Sequence, residues 1–200
     1  MYITMIEKQK KNNKRFNIYI DNKYVFSASY EELNFLDLKE GKEIDDEHYN
    51  YYLNYLLKRK AENTAVQFLS YKMRTEKELQ EKLKSKDFPD DIINDIIFKF
   101  KELKYIDDRY YAELYIEEKK EQLHSKYRIF SELKVKGIDT IIISDVLEDK
   151  YPDELEIIKR ILYKKRKTSK DIVKIKAYLY RNGFKIDDIN KALKLEELKS

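Results

Sequence analysis

Adjacent aspartates occur four times in this chain, at Asp45-Asp46, Asp90-Asp91, Asp107-Asp108 and Asp187-Asp188. Paired carboxylates can serve acid–base catalysis or bind a hard cation. Each pair here, however, lies just before or within the start of a stretch with helical periodicity. There, negative charge meets the positive end of the helix dipole and satisfies open N–H groups, so the spacing favours capping. The chain has no cysteine and only two histidines, His48 and His124, far apart. Disulfides and thiolate metal sites are thereby excluded, and a His/Cys zinc site has nothing to build on. Three scattered glycines, Gly41, Gly137 and Gly183, do not make a phosphate-cradling loop. There is no nucleophile elbow or kinase-type motif. A tyrosine nucleophile would need Arg and His groups around it to stabilise a phosphoryl transition state, and no such cluster is visible. The reading assigns no catalytic residue, no metal and no cofactor.

The remaining chemistry is cationic. Lys164-Lys165-Arg166-Lys167 is the densest basic run; Lys170, Lys174 and Lys176 follow, and Arg181 and Lys185 flank Gly183. Residues 153–200 hold 14 basic and 8 acidic side chains, a net of +6, against −2 for 61–108 and −1 for 109–152. An AT-rich genome explains abundant lysine but not this placement, which is where a polyanion would be drawn. Two readings stand: a solvated helix face, or a surface for DNA phosphates or the acidic groove of a nucleoprotein filament, with affinity falling steeply in salt. Candidate contacts are Lys164, Lys165, Arg166, Lys167, Lys170, Lys174, Arg181 and Lys185. Tyr163, Tyr178 and Tyr180 are interleaved and offer rings for stacking, although core packing is the expected role of most tyrosines.

These residues must be carried by helices. Apolar residues make up 42% of the 200 and charged residues 40%, a balance that suits a globular helical protein and not a disordered one. No basic segment followed by an apolar stretch opens the chain, and no apolar run nears the roughly 20 residues of a membrane span, which predicts a cytosolic protein. Residues 1–45 read differently. Phe16, Ile18 and Ile20 alternate with polar neighbours, Asp21-Asn22 suits a tight turn, and Tyr24-Val25-Phe26 resumes a β-favouring run. Tyr2 to Ile6 offers a third strand, and Glu31 to Leu38 a short helix. From Asp45 onward the period is helical, with residues 46–60 read as a connecting helix.

Beyond residue 60 a pattern repeats three times, over 61–108, 109–152 and 153–200. Its anchors are Leu83/Phe88, Leu133/Ile138 and Leu179/Phe184. Nine residues before the second anchor stand Leu79, Ile129 and Ile175; five after it, Ile93, Ile143 and Ile189. Further on come Ile96-Ile97, Val146-Leu147 and Ala192-Leu193, and upstream Ala65-Val66, Tyr115-Ile116 and Ile161-Leu162 align. Thr75, Ser125 and Asp171 sit at one N-cap position, and Thr75 with Glu78 fits a capping box. Gly137 and Gly183 fall in the turn before the third helix, with Asp87 in the first copy. Pro89 and Pro152 suit helix starts. The predicted fold is mainly α: three tandem three-helix, helix-turn-helix-like repeats in an elongated array, with a small N-terminal β-hairpin or meander module.

The junction of the first two copies reads Leu103-Lys104-Tyr105-Ile106-Asp107-Asp108-Arg109-Tyr110-Tyr111-Ala112-Glu113-Leu114-Tyr115. This resembles the signature of the RecX family, an aromatic-aliphatic-Asp-Asp run followed by an aromatic-alanine pair and another aromatic. Arg74-Thr75-Glu76-Lys77-Glu78-Leu79 with Leu83 is similar to a second family segment. The N-terminal hairpin followed by Leu38-Lys39-Glu40-Gly41 resembles the extension of Gram-positive members. Lys104 and Asp87 stand where the family usually has glycine, and Ser125-Lys126 lacks a glycine expected before the second helix of copy two. Physically, Tyr105, Ile106, Asp107, Asp108, Tyr111, Ala112 and Tyr115 carry a mainly structural role: Asp107 or Asp108 caps the next helix, and Tyr111, Ala112, Tyr115 and Ile116 form an apolar stripe.

The resemblance implies a non-enzymatic modulator of RecA, with inhibition the expected sign. Such a protein binds RecA and RecA–single-stranded DNA filaments and affects recombination, DNA repair and the SOS response, with ATP and magnesium belonging to RecA. Rival readings are a stand-alone DNA-binding module, since three-helix units can present a helix-turn-helix; a hydrolase or phosphotransferase in an unfamiliar helical fold; and a scaffold for another protein.

Overall fold

The computed structural model describes residues 1–151, 153–167 and 171–197. It is mainly α, with a three-stranded antiparallel sheet at the N-terminus. Strands β1 (Ile3–Lys8), β2 (Arg15–Ile20) and β3 (Lys23–Ser29) lie in sequence order. Asp21 and Asn22 both take positive φ, the geometry of a primed hairpin turn whose twist matches the strands. Ile18 and Ile20 face the core from β2, and Phe26 and Ala28 from β3, as the period of two requires. Helix α1 (Tyr30–Phe35) is shorter than the expected Glu31–Leu38. A Ser29/Glu32 capping box starts it. Past its C-cap the backbone turns at Asp37 (φ +49), which buries Leu36 and Leu38 without further helix.

The chain divides into two compact units, one of Met1–Gln67 with Leu83–Ile96, the other of Phe68–Lys82 with Ile97–Ser200. In the first, the sheet, α1 and the N-terminal part of α2 (Asp46–Ser70) share a core around Ile3, Ile18, Leu33 and Tyr52. The expected boundary at residue 60 is not a break. One 25-residue helix runs through it, because nothing between 46 and 70 is Gly or Pro to stop it.

The helices then follow in threes. Completing the first triplet are α3 (Glu76–Lys84) and α4 (Asp90–Glu102); α5 (Asp108–Glu121), α6 (Lys126–Val135) and α7 (Thr140–Lys150) form the second; α8 (Glu154–Arg166), α9 (Ile172–Arg181) and α10 (Ile186–Glu197) form the third. The repeat anchors are buried in all three copies, as are the residues nine before and five after. Two aligned apolar positions depart: Tyr115 is half-buried where Ala65 and Ile161 are buried, and Val66 is exposed where Ile116 and Leu162 are buried, since α2 turns Ala61 and Ala65 inward instead. Within the second unit a single core runs from Ala112 to Leu193. Pro89 immediately precedes α4 and its carbonyl accepts from Ile93 N; Pro152 lies outside the described residues.

Consecutive triplets are joined by one recurring set of hydrogen bonds. Thr75 Oγ1 accepts from Glu78 N, capping α3, and donates to the Lys136 carbonyl at 2.8 Å. Ser125 Oγ accepts from Arg128 N, capping α6, and donates to the Asn182 carbonyl at 2.6 Å. Lys136 and Asn182 each precede the turn glycine of the following copy, Gly137 (φ +88) and Gly183 (φ +86). Both cap hydroxyls are fully buried, so one oxygen serves as acceptor within its helix and donor between copies. In the third triplet Asp171 caps α9 by accepting from Lys174 N; a carboxylate has no hydrogen to donate onward.

Candidate nucleic-acid interface

Each of the two joints opens into a groove on the surface of the second compact unit. The first is lined by Glu76, Lys77, Gln80, Lys101, Asp108, Arg109, Gly137 and Asp139 among others, the second by Lys126, Tyr127, Phe130, Glu154, Tyr180, Arg181, Gly183 and Lys185. In each, the first N–H of the earlier triplet's second helix is held by the acid that begins the next triplet's first helix. Glu76 N donates to Asp108 Oδ1 at 2.9 Å, and Lys126 N donates to Glu154 Oε1 at 2.8 Å. Burial pushes both carboxyls above their usual range, opposed in each case by the N–H they accept.

The adjacent signature acids divide the work. Asp107 caps α5 by accepting from Tyr110 N at 3.0 Å, leaving Asp108 to reach α3. Ile106 and Ala112 are buried, whereas Tyr105 is exposed with its ring tilted against that of Phe100. Tyr111 and Tyr115 stack with centroids 6.1 Å apart, and Lys136 Nζ sits over both rings. Tyr115 OH donates to Glu132 at 2.8 Å. Burial works against the Glu132 charge, but hydrogen bonds from Arg128 and Tyr115 hold its carboxyl below the usual range.

The expected cationic contacts fall into separate places. Lys164, Lys165, Arg166 and Lys167 occupy the end of α8 and the residue after it. Lys165 Nζ lies 4.1 Å over the Tyr178 ring and Lys167 Nζ 4.3 Å over Tyr163, a placement that orients each ammonium. Lys174 is ion-paired to Asp171 at 3.4 Å. Arg181 and Lys185 belong to the second groove, and Lys170 lies outside the described residues. The sequence reading missed Lys126, Tyr127 and Phe130, which join Arg181 and Lys185 there. Its expectation that tyrosines mostly pack inside also needs correcting. Tyr127, Tyr163 and Tyr180 are exposed, while only Tyr52 and Tyr151 of the tyrosines are buried.

Among the described residues no three His, Cys, Asp or Glu side chains come together as a metal site. His48 is bonded to Asp45, and burial lowers the His124 pKa. No helix of the described residues is long and apolar enough to cross a membrane.

The buried acid of the second joint has a testable pH signature. Its folded pKa exceeds the unfolded value of about 4.3, so between the two the folded chain holds more protons and stability falls as pH rises. Glu154→Gln keeps the acceptor oxygen and abolishes the titration. The variant's stability relative to the parent should therefore improve from about pH 4 to about pH 7 in urea melts. A difference that stays constant over that interval would refute this account.

A sheet module leading into tandem helical triplets, with cap side chains shared between neighbours, defines a helical-repeat protein. Family models agree on which one: the RecX N-terminal domain matches residues 1–45, the first three-helix domain 61–100 and the second 107–147. The chain belongs to the RecX family of regulatory proteins. It is 44% identical to the regulatory protein RecX of Caldanaerobacter subterraneus subsp. tengcongensis over 98% of this chain and 100% of that one. Against the RecX of Bacillus subtilis the identity is 36% over 96% of this chain and 76% of the relative. A crystal structure of regulatory protein RecX superposes with a TM-score of 0.70 at 28% identity, covering 96% and 98% of the two chains. RecX from Lactobacillus salivarius gives 0.65 at 32%, covering 71% and 97%.

Proposed function

We propose that this chain is a non-enzymatic inhibitor of RecA that binds RecA and the RecA–single-stranded DNA filament. It would act in the cytoplasm on recombination, DNA repair and the SOS response. The observation that carries the reading is family membership across nearly the whole chain, at 44% identity. The +6 balance of residues 153–200 supports it, since an excess of positive charge draws a polyanionic filament. A chain of triplets offers several faces to a repeating partner. Binding one filament arrangement more tightly than another shifts the filament toward it. ATP and magnesium are RecA's own, and this chain contributes contacts only.

The test is RecA ATP hydrolysis on single-stranded DNA with increasing amounts of this protein. A dose-dependent fall in rate is expected. An unchanged rate at amounts stoichiometric with RecA overturns the reading, and a rise reverses the sign of regulation. The rival stand-alone DNA-binding role is favoured if gel shifts show tight DNA binding that RecA does not alter.

A further inference from the structure

The two joint grooves are nearly the same size, about 720 and 660 Å³, so their chemistry and not their room distinguishes them. The repeat register shows how. Lys126, Phe130 and Lys185 of the second groove stand where the first has Glu76, Gln80 and Asp139. Tyr127 replaces Lys77. A mixed, largely charged cleft in one joint is a cationic, aromatic cleft in the other. Glu154, the only carboxylate among the described residues lining the second groove, is occupied by the Lys126 backbone N–H. Tyr127 and Tyr180 line it with 71% and 65% of their surface exposed. Neither ring is needed to fill the core.

We propose that this groove takes an unstacked nucleotide of a single strand, its base on the faces of Tyr127 and Tyr180 and its phosphates on Arg181 and Lys185. Flat apolar rings beside cations match a ligand that is itself a flat ring beside an anion. A duplex keeps its base faces stacked inside and presents only phosphate. An acidic protein segment would use the cations and leave both tyrosine faces unfilled. The inference rests on the regulatory reading only for its biological setting, giving that reading a direct contact with the filament's strand, and its test needs no RecA.

The full chain is titrated against a fluorescein-labelled oligothymidylate of about 20 nucleotides by anisotropy, over about 50 to 200 mM salt. Tyr127→Ala and Tyr180→Ala should each weaken binding about tenfold with the salt slope unchanged, as loss of one stacked base predicts. Arg181→Gln and Lys185→Gln should each flatten the slope by about 0.7. Tyr127→Phe and Tyr180→Phe should bind like the parent, and thermal melts identify any variant that has lost its fold. Parental affinity in folded alanine variants overturns the proposal, as does equal competition by a duplex of the same length. Alanine variants that keep oligonucleotide affinity but lose their effect on RecA ATPase would assign the groove to an acidic protein surface, overturning the proposal and sparing the regulatory reading. If the oligonucleotide results hold while the parent has no effect on RecA, the regulatory reading fails alone.

Discussion

Gly183→Ala should lower the unfolding free energy by about 2–4 kcal/mol in urea denaturation, whereas Gly41→Ala should cost only about 1 kcal/mol. Both glycines have positive φ, +86 and +78, so both substitutions force an L-residue into the left-handed region. They differ in what surrounds them. A Cβ on Gly41 meets nothing within 4 Å. A Cβ on Gly183 lies 2.8 Å from Ser125 Oγ and 3.0 Å from Tyr127 Cδ1. The exposed tyrosine ring can turn aside, but the hydroxyl is held by its bonds to Arg128 N and Asn182 O. Moving it costs one or both, each worth about 1 kcal/mol, and strands a buried donor or acceptor if no substitute is found. Pairing Gly183→Ala with Ser125→Ala should therefore cost less than the sum of the single changes. Equal losses for Gly41→Ala and Gly183→Ala would show that the backbone alone accounts for the glycine and that close approach of the two copies plays no part.

The same position explains what was legible in the sequence. The turn glycines and the Thr75 and Ser125 caps are local signals, readable from residue type and spacing. The buried anchors follow from the helical period. What these side chains do between copies is not local. Thr75 bonds a carbonyl 61 residues away, yet as a residue type it is an ordinary cap, so nothing in the sequence marks its second role. Asp107 and Asp108 show the same limit. Adjacency announces a cap, but which acid caps α5 and which crosses to α3 depends on packing. Strand pairing at the N-terminus was readable because one buried face fixes the register. The end of α1 was not, since Leu36 and Leu38 satisfy an apolar pattern whether helical or turned. The second groove was half visible. Arg181 and Lys185 stood out beside a glycine, but Lys126 and Tyr127 belong to another copy, 54 to 59 residues earlier. The signal that finds them is the repeat itself, read for its polar positions: Glu76 against Lys126 and Lys77 against Tyr127. Core positions agree among copies because packing is shared, so function is to be sought where the copies disagree.

Reversing Lys164, Lys165, Arg166 and Lys167 to glutamate should produce the largest functional loss, by weakening binding to the RecA–DNA filament and flattening its salt dependence. Four phosphate contacts on a single strand give a slope near −2.8 in log affinity against log salt, or roughly 50-fold between about 50 and 200 mM. The reversed variant should lose that dependence and bind at least about 50-fold more weakly at the low-salt end, where screening is least. The loss should not come from unfolding. Lys164, Arg166 and Lys167 are exposed, and the side chains buried on α8 are Ile157, Ile158, Ile161 and Leu162. The contacts given up besides charge include those of Lys165 with Tyr178 and Lys167 with Tyr163, each worth about 0.5–1 kcal/mol at exposed sites. Glutamine at the same four positions separates the effects, since it removes those contacts without adding repulsion and should fall between parent and reversed variant at low salt. Were the reversed protein to melt like the parent and bind the filament with unchanged affinity and slope, the end of α8 would be a solvated helix face, and the strand-binding charge would have to lie in the groove beside Arg181 and Lys185 instead.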